Sequence, residues 1–187
     1  MNFNEHSDLQ GRHAILSPSS YHWIRYRDKA KFENLVRSKE AIKKGVEDHE
    51  FACLCIRRKQ RLQSRPKTTL SMYVNDAIGF RMTAEQPLQY SDICFGTADS
   101  IIFDERQKKL RIHDLKTGST PASMDQLLIY AAIFCLEYKV KPSTIAVELR
   151  IYQNNEIVIF EPTTEELTDA IDQVIFANKM VNEIIDE

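Results

Sequence analysis

The chain has 187 residues, of which 43% are hydrophobic and 28% are charged, and its formal net charge is −2. These values are ordinary for one soluble globular domain, here predicted to span residues 1–187, with enough length for a sizeable core. No apolar run approaches the roughly 20 residues of a membrane span, and the first residues lack a signal-peptide pattern, so a cytoplasmic protein without a membrane partner is expected.

Charge is unevenly distributed along the chain. Residues 23–70 carry fourteen Lys/Arg and six Asp/Glu, whereas residues 161–187 carry eight acids and one lysine. The acidic end either faces a partner or is solvated. Residues 51–75 contain no acid, and the segment is either a phosphate-binding surface or a solvated helix end and loop. Its basic residues are Arg57, Arg58, Lys59, Arg61, Arg65 and Lys67.

The predicted elements begin with a helical part over about residues 17–65. Ser17 is expected to cap a helix that starts at Pro18, and apolar residues then recur at roughly helical spacing. A second helix is predicted over about residues 39–62. Its apolar face would carry Ile42, Val46, His49 and Cys53.

A core with strands is predicted over about residues 77–160, followed by an amphipathic helix over about 163–186. Ser123 and Gln126 have the spacing of a capping box before the central helix. The order predicts an α/β fold with a central mixed sheet flanked by α-helices. The core elements are a strand at 77–84, a turn at 85–87, a hairpin near 100–112, a loop at 118–121, a helix at 126–138, and strands at 144–152 and 156–160.

The hairpin has a register that its sequence predicts. Two apolar runs, 100–103 and 110–112, flank a polar turn at 105–108. A symmetric antiparallel pairing about that turn sets Asp99 opposite Asp114 at the open end of the hairpin. Because side chains alternate along a strand, both carboxylates share one face with the apolar residues of the hairpin.

Two opposed carboxylates at the end of an apolar stripe need either a bound proton or a cation between them. Mg²⁺ prefers oxygen ligands and often takes one or two carboxylates, with water and phosphate completing its shell. Lys116 follows on the same face as Asp114, whereas Leu115 does not. The lysine would position or deprotonate a water, or offset phosphate charge. The alternative is a hairpin with solvated acidic ends, since a lone Asp-x-Lys is common.

Four short motifs occur in one order along the chain. They are Gly-x-x-x-His at 45–49, Gly-x-x-Asp at 96–99, Asp-x-Lys-Thr at 114–117 and Gln-x-x-x-Tyr at 126–130. In this order they resemble the RecB-like branch of the PD-(D/E)XK nuclease superfamily. The opening segment at 13–24 also looks like phage-encoded members. The resemblance implies a restriction-endonuclease-like core.

The resemblance also implies a metal site for Mg²⁺ or Mn²⁺. Asp99 and Asp114 would bind the ion, with the Leu115 carbonyl as a further ligand. His49 would complete the metal shell, which favours Mn²⁺ because imidazole suits transition metals. Lys116 would act on the attacking water, so that Asp99, Asp114, Lys116 and His49 form the catalytic set. Many relatives have Glu where this chain has Asp114.

The resemblance places DNA contacts on two further elements. Gln126 and Tyr130, one helical turn apart, would lie near the scissile phosphate or the bound strand. The basic residues Arg57, Arg58, Lys59 and Arg61 would track the DNA backbone without reading bases.

Several of these residues have a structural alternative. His49 is otherwise a core histidine, and Glu47 or Glu50 would then serve as the ligand. Gln126 would cap its helix with Ser123, and Tyr130 would be a core residue. Further along, Glu85 is either an acid of the strand before the hairpin or a surface carboxylate, and His113 faces away from the site as a structural residue.

The four cysteines carry a separate prediction. Their spacing contains no Cys-x-x-Cys pair, which disfavours a zinc site. They do not match the set that holds an iron–sulfur cluster in some relatives, so no such cluster is expected. They are predicted to be reduced and mostly buried thiols. They are Cys53, Cys55, Cys94 and Cys135.

The function that follows is a metal-dependent DNA nuclease. The expected form is a phage or prophage exonuclease in DNA recombination, repair or replication, working in the host cytoplasm. One alternative is a structure-selective or flap endonuclease on the same site, and another is a non-catalytic DNA-binding subunit. DNA is the expected partner, and the resemblance also allows a homo-oligomer and a recombination or single-strand-binding partner protein.

Overall fold

A computed structural model describes residues 1–9, 14–38, 47–117 and 121–186. Within these ranges the chain forms five α-helices, five strands and three short 3₁₀ helices. The α-helices are α1 (Lys29–Ser38), α2 (Glu47–Arg57), α3 (Thr69–Gly79), α4 (Asp125–Glu137) and α5 (Thr164–Ile185). The strands are β1 (Thr83–Ser91), β2 (Cys94–Asp104), β3 (Lys109–Leu115), β4 (Ala146–Gln153) and β5 (Glu156–Phe160). The 3₁₀ helices are Ser7–Leu9, Pro18–Arg25 and Pro142–Thr144.

The strands form one mixed sheet in the order β1-β2-β3-β4-β5. Strands β3 and β4 are parallel, and the other neighbours are antiparallel. A parallel pair needs a crossover connection, and helix α4 provides it. The α/β fold with a mixed sheet packed against helices is therefore confirmed.

The β2–β3 hairpin has the predicted register. Its pairs extend from the turn to Ser100 opposite His113 at the open end. Asp99 and Asp114 follow one step beyond that pair. Ile101, on the same face as Asp99, is completely buried.

One face of the sheet packs against helices α4 and α5. Ile101 and Ile112 of the hairpin lie in the same buried cluster as Leu127 and Phe134 of α4 and Val174 of α5. Helix α4 is apolar nearly all round because it is enclosed by the sheet, α5 and the 3₁₀ helix Pro18–Arg25.

The opposite face packs against helices α2 and α3. Ile56 of α2 and Tyr73 and Ala77 of α3 form a second buried cluster with Leu115 and Tyr152 of the sheet. The alternation of β3 therefore directs Leu115 into one core and Asp114 toward the other layer.

The strand predicted at 77–84 is wrong. Helix α3 continues to Gly79, and β1 begins at Thr83 and includes the predicted turn at 85–87. A capping box starts α3: Thr68 Oγ1 accepts the Ser71 N–H (3.2 Å), and Ser71 Oγ accepts the Thr68 N–H (2.9 Å). A serine in place of the usual Glu or Gln at the third helical position obscured this signal in the sequence.

Helix α2 ends at Arg57, earlier than the predicted residue 62. Lys59 adopts a left-handed conformation with φ 54°. Its N–H donates to the carbonyl of Ile56 (3.0 Å), and the N–H of Gln60 donates to that of Cys55 (2.9 Å). This pair of hydrogen bonds is a Schellman motif, which closes the helix without glycine.

The first predicted helix is present in altered form. Ser17 does precede Pro18 at a helix start, but Pro18–Arg25 is a 3₁₀ helix, and α1 is a separate element. Residues 39–46, which include Ile42, Gly45 and Val46 of the predicted second helix, lie outside the described residues. Residues 118–120 of the loop predicted at 118–121 also lie outside them.

Gly96 of β2 occupies a close approach between three elements. A Cβ at this position would lie 2.7 Å from Cδ of Pro18 and 3.2 Å from the Tyr130 hydroxyl. At Gly79, the end of α3, the nearest atom to an added Cβ would be 3.8 Å away, in the Arg61 side chain. A methyl group would therefore clash at position 96 and fit at position 79.

We expect Gly96→Ala to lower the free energy of unfolding by about 1–3 kcal/mol, because Pro18 and Tyr130 must move to admit the methyl group. Gly79→Ala should leave stability unchanged or raise it by up to about 1 kcal/mol, since alanine favours the helix. Urea unfolding of both variants measures this. Equal stability of the two variants would contradict the packing described for Gly96.

Candidate functional site

Three elements bring together a group of potential metal ligands. Helix α2 supplies His49, strand β1 supplies Glu85, and strand β2 supplies Asp99. One ligand atom from each lies within 4.8 Å of the other two, and all three side chains are partly buried. Imidazole and carboxylate are both established ligands of divalent ions, so this group is a candidate metal centre.

Asp99 links the parts of this centre. Its Oδ2 lies 3.3 Å from Nδ1 of His49 and accepts the backbone N–H of Leu115 at 2.9 Å. The contact with Leu115 connects the carboxylate on β2 to the end of β3. The hydrogen bond with Asp99 raises the pKa of His49, partly offset by burial of the imidazole.

Glu85 reaches the centre through an unusual backbone conformation. The β1–β2 pairs on both sides of it keep the register that sets Glu85 opposite Asp99. Its φ of 55° lies in the left-handed region, which costs a non-glycine residue about 1–2 kcal/mol. Burial, and then the negative charge of Asp99, raise the pKa of Glu85. Strain of this kind concentrates at functional sites.

The sequence left two readings of Glu85 open, and the structure places it in the strand before the hairpin, beside Asp99. The incorrect strand bounds hid this position, because a strand ending at residue 84 puts Glu85 in a turn. The number of residues between Glu85 and Asp99 could have indicated that they face each other, but only if β1 is taken to extend to Ser91.

Asp114 and Lys116 lie at the end of β3 beside this group. Nζ of Lys116 is 2.8 Å from Oδ2 of Asp114 and donates to Oε1 of Gln126 at 2.8 Å. Asp114 is only 3% exposed. Burial, reinforced by the charge of Asp99, raises the pKa of the Asp114 carboxyl well above its usual range, although Lys116 opposes the shift.

Gln126 and Tyr130 are both buried on α4. Gln126 binds Lys116 and does not complete a capping box; Ser123 Oγ only accepts the N–H of Asp125 at 3.2 Å. The Tyr130 hydroxyl donates to the carbonyl of Thr97. Both side chains thus support the strand ends that carry the acids, and their contact with DNA stays a prediction.

The basic residues predicted to contact DNA lie at the end of α2 and just after it. Arg57, Arg58, Lys59 and Arg61 are all exposed. Arg57 lines an open cleft of about 1130 Å³, together with Glu85, Thr97 and the N-terminal residues 1–7. Glu50 lines this cleft outside the group of candidate ligands, so among the described side chains of α2 it is His49 that reaches Asp99. The side chain of Glu47 lies outside the described residues.

His113 lies on the opposite side of the sheet, as expected. It is completely buried, and its Nδ1 is 3.2 Å from the Tyr152 hydroxyl. Burial lowers the pKa of His113 to about 3, so its ring is neutral at physiological pH. The Tyr152 hydroxyl donates to Asp76 at 2.8 Å. This hydrogen-bonded chain anchors the strand behind Asp114.

The four cysteines are free and buried, as the sequence predicts. Burial raises the pKa of Cys94 and of Cys135 to about 12 in each case. Both are therefore thiols at neutral pH, and a thiol is a poor metal ligand.

No family model matches the chain, and no curated protein matches it. One solved structure that does match is named "Crystal structure of SSO0001". It has 12% sequence identity and a TM-score of 0.30, over 80% of this chain and 87% of the other. A similarity of this size supports no conclusion about function. Among the described residues, no helix is long and apolar enough to cross a membrane.

The candidate centre predicts how single carboxylates affect metal binding. Glu85→Gln keeps the size of the side chain but removes a charged ligand, so its affinity for Mn²⁺ should fall by roughly tenfold or more. Glu50→Gln removes a carboxylate from the adjacent cleft and should bind Mn²⁺ like wild type. Isothermal titration calorimetry of the three proteins measures this. Unchanged affinity in Glu85→Gln would exclude Glu85 as a ligand.

Proposed function

We propose that the protein is a metal-dependent deoxyribonuclease of the PD-(D/E)XK type, in its RecB-like branch. We further propose that it is a phage or prophage exonuclease for DNA recombination, repair or replication. The observation that carries the proposal is that Asp99, Asp114 and Lys116 lie together at adjacent strand ends, with His49 and Glu85 beside them. The mixed sheet with α4 crossing between β3 and β4 agrees with the fold that the motif resemblance implies.

The donor set fits a divalent cation. Glu85, Asp99 and Asp114 provide carboxylates, and His49 provides an imidazole nitrogen. Burial and the negative charge of Asp99 raise the pKa values of Glu85 and Asp114, so the ionised carboxylates lie in an unfavourable environment. A divalent ion would compensate for the negative charge, and the imidazole would favour Mn²⁺ over Mg²⁺.

These side chains, with the Leu115 carbonyl, would hold the ion close to Lys116. When bound, it would supply Lewis-acid stabilisation of phosphate charge and lower the pKa of a coordinated water. Lys116 itself has three N–H donors, and Asp114 and Gln126 accept from it. The remaining donor is available to orient the attacking water or to offset charge on a phosphate oxygen.

The DNA strand would reach this centre through the cleft beside α2. Arg57 lines the cleft, and Arg58, Lys59 and Arg61 extend the positive charge from the end of the helix. Contacts of these side chains with phosphates would fix the position of the backbone without reading the base sequence.

The decisive test is cleavage of labelled linear duplex, linear single strand and closed circular DNA, with Mg²⁺, Mn²⁺ or EDTA. Wild type should degrade linear DNA only when a metal is present. Asp114→Ala should lose that activity because the centre loses a buried ligand. Cutting of closed circles would establish an endonuclease instead. Intact DNA binding without cleavage under any metal would point to a non-catalytic DNA-binding subunit.

Lys116→Ala separates chemistry from binding. Removal of the Lys116 ammonium group should lower the cleavage rate by about 100-fold or more, as for other groups that stabilise charge in the transition state. The affinity for DNA should stay near that of wild type. Lys179→Ala, which removes an exposed lysine from α5, is the control. Single-turnover cleavage and fluorescence anisotropy in EDTA measure the two quantities. Equal losses in rate and affinity would contradict the role assigned to Lys116.

A further inference from the structure

Helix α2 exposes two large apolar side chains on its outer surface. Phe51 and Leu54 are 47% and 44% exposed. The opposite side of the helix is already buried through Ala52, Cys55 and Ile56. The outer face of such a helix is normally polar, so two adjacent apolar residues there indicate a surface that binds something.

The two residues belong to one stripe that ends in a positive charge. Phe51, Leu54 and Arg58 follow the spacing i, i+3 and i+7, and the N–H of Arg58 still donates to the Leu54 carbonyl at 3.0 Å. The apolar stripe, defined here as Phe51 and Leu54, is thus followed directly by exposed cations. Among the described residues, none of these cations forms an ion pair. They are Arg57, Arg58, Lys59 and Arg61.

Leu54 connects the apolar stripe to the cleft beside the candidate metal centre. At 3.6 residues per turn, Phe51 lies on the side of α2 that faces away from His49, so the stripe continues outward from the cleft. Leu54 also lines the cleft that contains Glu85 and Thr97. A molecule in the cleft would therefore meet Glu85, Leu54 and Arg57, and it would reach Phe51 and the other cations where it leaves the cleft.

Charge distinguishes this stripe from the other exposed apolar residues of the described chain. Val158 and Ile159 are on the edge strand β5, which Glu156 and Glu161 flank. Ile175 and Ile185 are on the acidic helix α5, and Met1 is at the N-terminus. The stripe on α2 combines exposed apolar side chains with unpaired cations. It therefore suits a ligand that carries both flat apolar groups and many negative charges.

We infer that Phe51 and Leu54 form a base-stacking surface for single-stranded DNA and give the protein a preference for unpaired strands. The inference rests on the proposed nuclease function for its choice of DNA. In a duplex the base faces are covered by their neighbours, whereas an unpaired strand can stack its bases on an aromatic ring while its phosphates meet cations. The stripe would hold a segment of the strand outside the cleft, and the strand would pass Leu54 into the cleft that contains Glu85.

The test is binding of labelled oligothymidine and of a blunt duplex by the full chain in EDTA, which separates binding from cleavage. The double variant Phe51→Ala/Leu54→Ala should bind oligothymidine about tenfold more weakly, as loss of one stacked base predicts, and the duplex about as well as wild type. Ile175→Ala, which removes an exposed aliphatic side chain from α5, should match wild type on both.

Phe51→Trp provides a second readout that does not depend on a loss of affinity. The indole retains the stacking surface, so affinity for oligothymidine should stay near that of wild type. Its fluorescence should be quenched on binding, whereas the native Trp23 is completely buried. Light scattering of wild type and the double variant should give the same mass. A smaller mass for the double variant would assign the stripe to contact between copies of the chain and overturn the inference.

The inference and the proposed function fail in different ways. Wild-type affinity of the double variant for oligothymidine, or equal losses on single strand and duplex, would overturn the stacking surface even if metal-dependent cleavage is intact. Stripe-dependent binding of oligothymidine, with no cleavage under any metal, would support the stacking surface and overturn the nuclease.

Discussion

The arrangement of the site depends on the hydrogen bond that the Leu115 N–H donates to the Asp99 carboxylate. It fixes the end of β3 against β2 at the point where the regular pairs of the hairpin stop. Asp114 and Lys116 are the neighbours of Leu115 in the chain, so the position of the Leu115 amide fixes the backbone positions of both. The same carboxylate oxygen contacts His49, which brings α2 into the site. One carboxylate thereby joins two strands and a helix.

The alternation of β3 divides stability from function at adjacent residues. His113 and Leu115 point into the layer under α2 and α3, where the hydrogen-bonded Tyr152 and the apolar cluster hold them. Asp114 and Lys116 point toward α4, where Gln126 receives the lysine. The end of β3 is therefore held by His113 and Leu115, and Asp114 and Lys116 present their charges to the other side of the sheet.

Stability and chemistry oppose each other within the candidate centre. Burying Glu85, Asp99 and Asp114 close together costs free energy, and Glu85 adds the cost of a left-handed backbone. His49 and Lys116 offset part of the repulsion. Under the proposed function, this group would form a preorganised site for a cation, which is the electrostatic condition for phosphodiester hydrolysis.

Local sequence pattern by itself determined the hairpin register, the helices α4 and α5, and the shared face of Asp99 and Asp114. A period of two, a turn, an apolar run and the capping box of Thr163 and Glu166 at α5 each act over a few residues. Tertiary structure alone decided the rest. The approach of Glu85 to His49, and of Gln126 to Lys116, depends on how α2, β1 and α4 pack on the sheet. Burial of complementary faces governs that packing, and local patterns within a single helix or strand do not determine it.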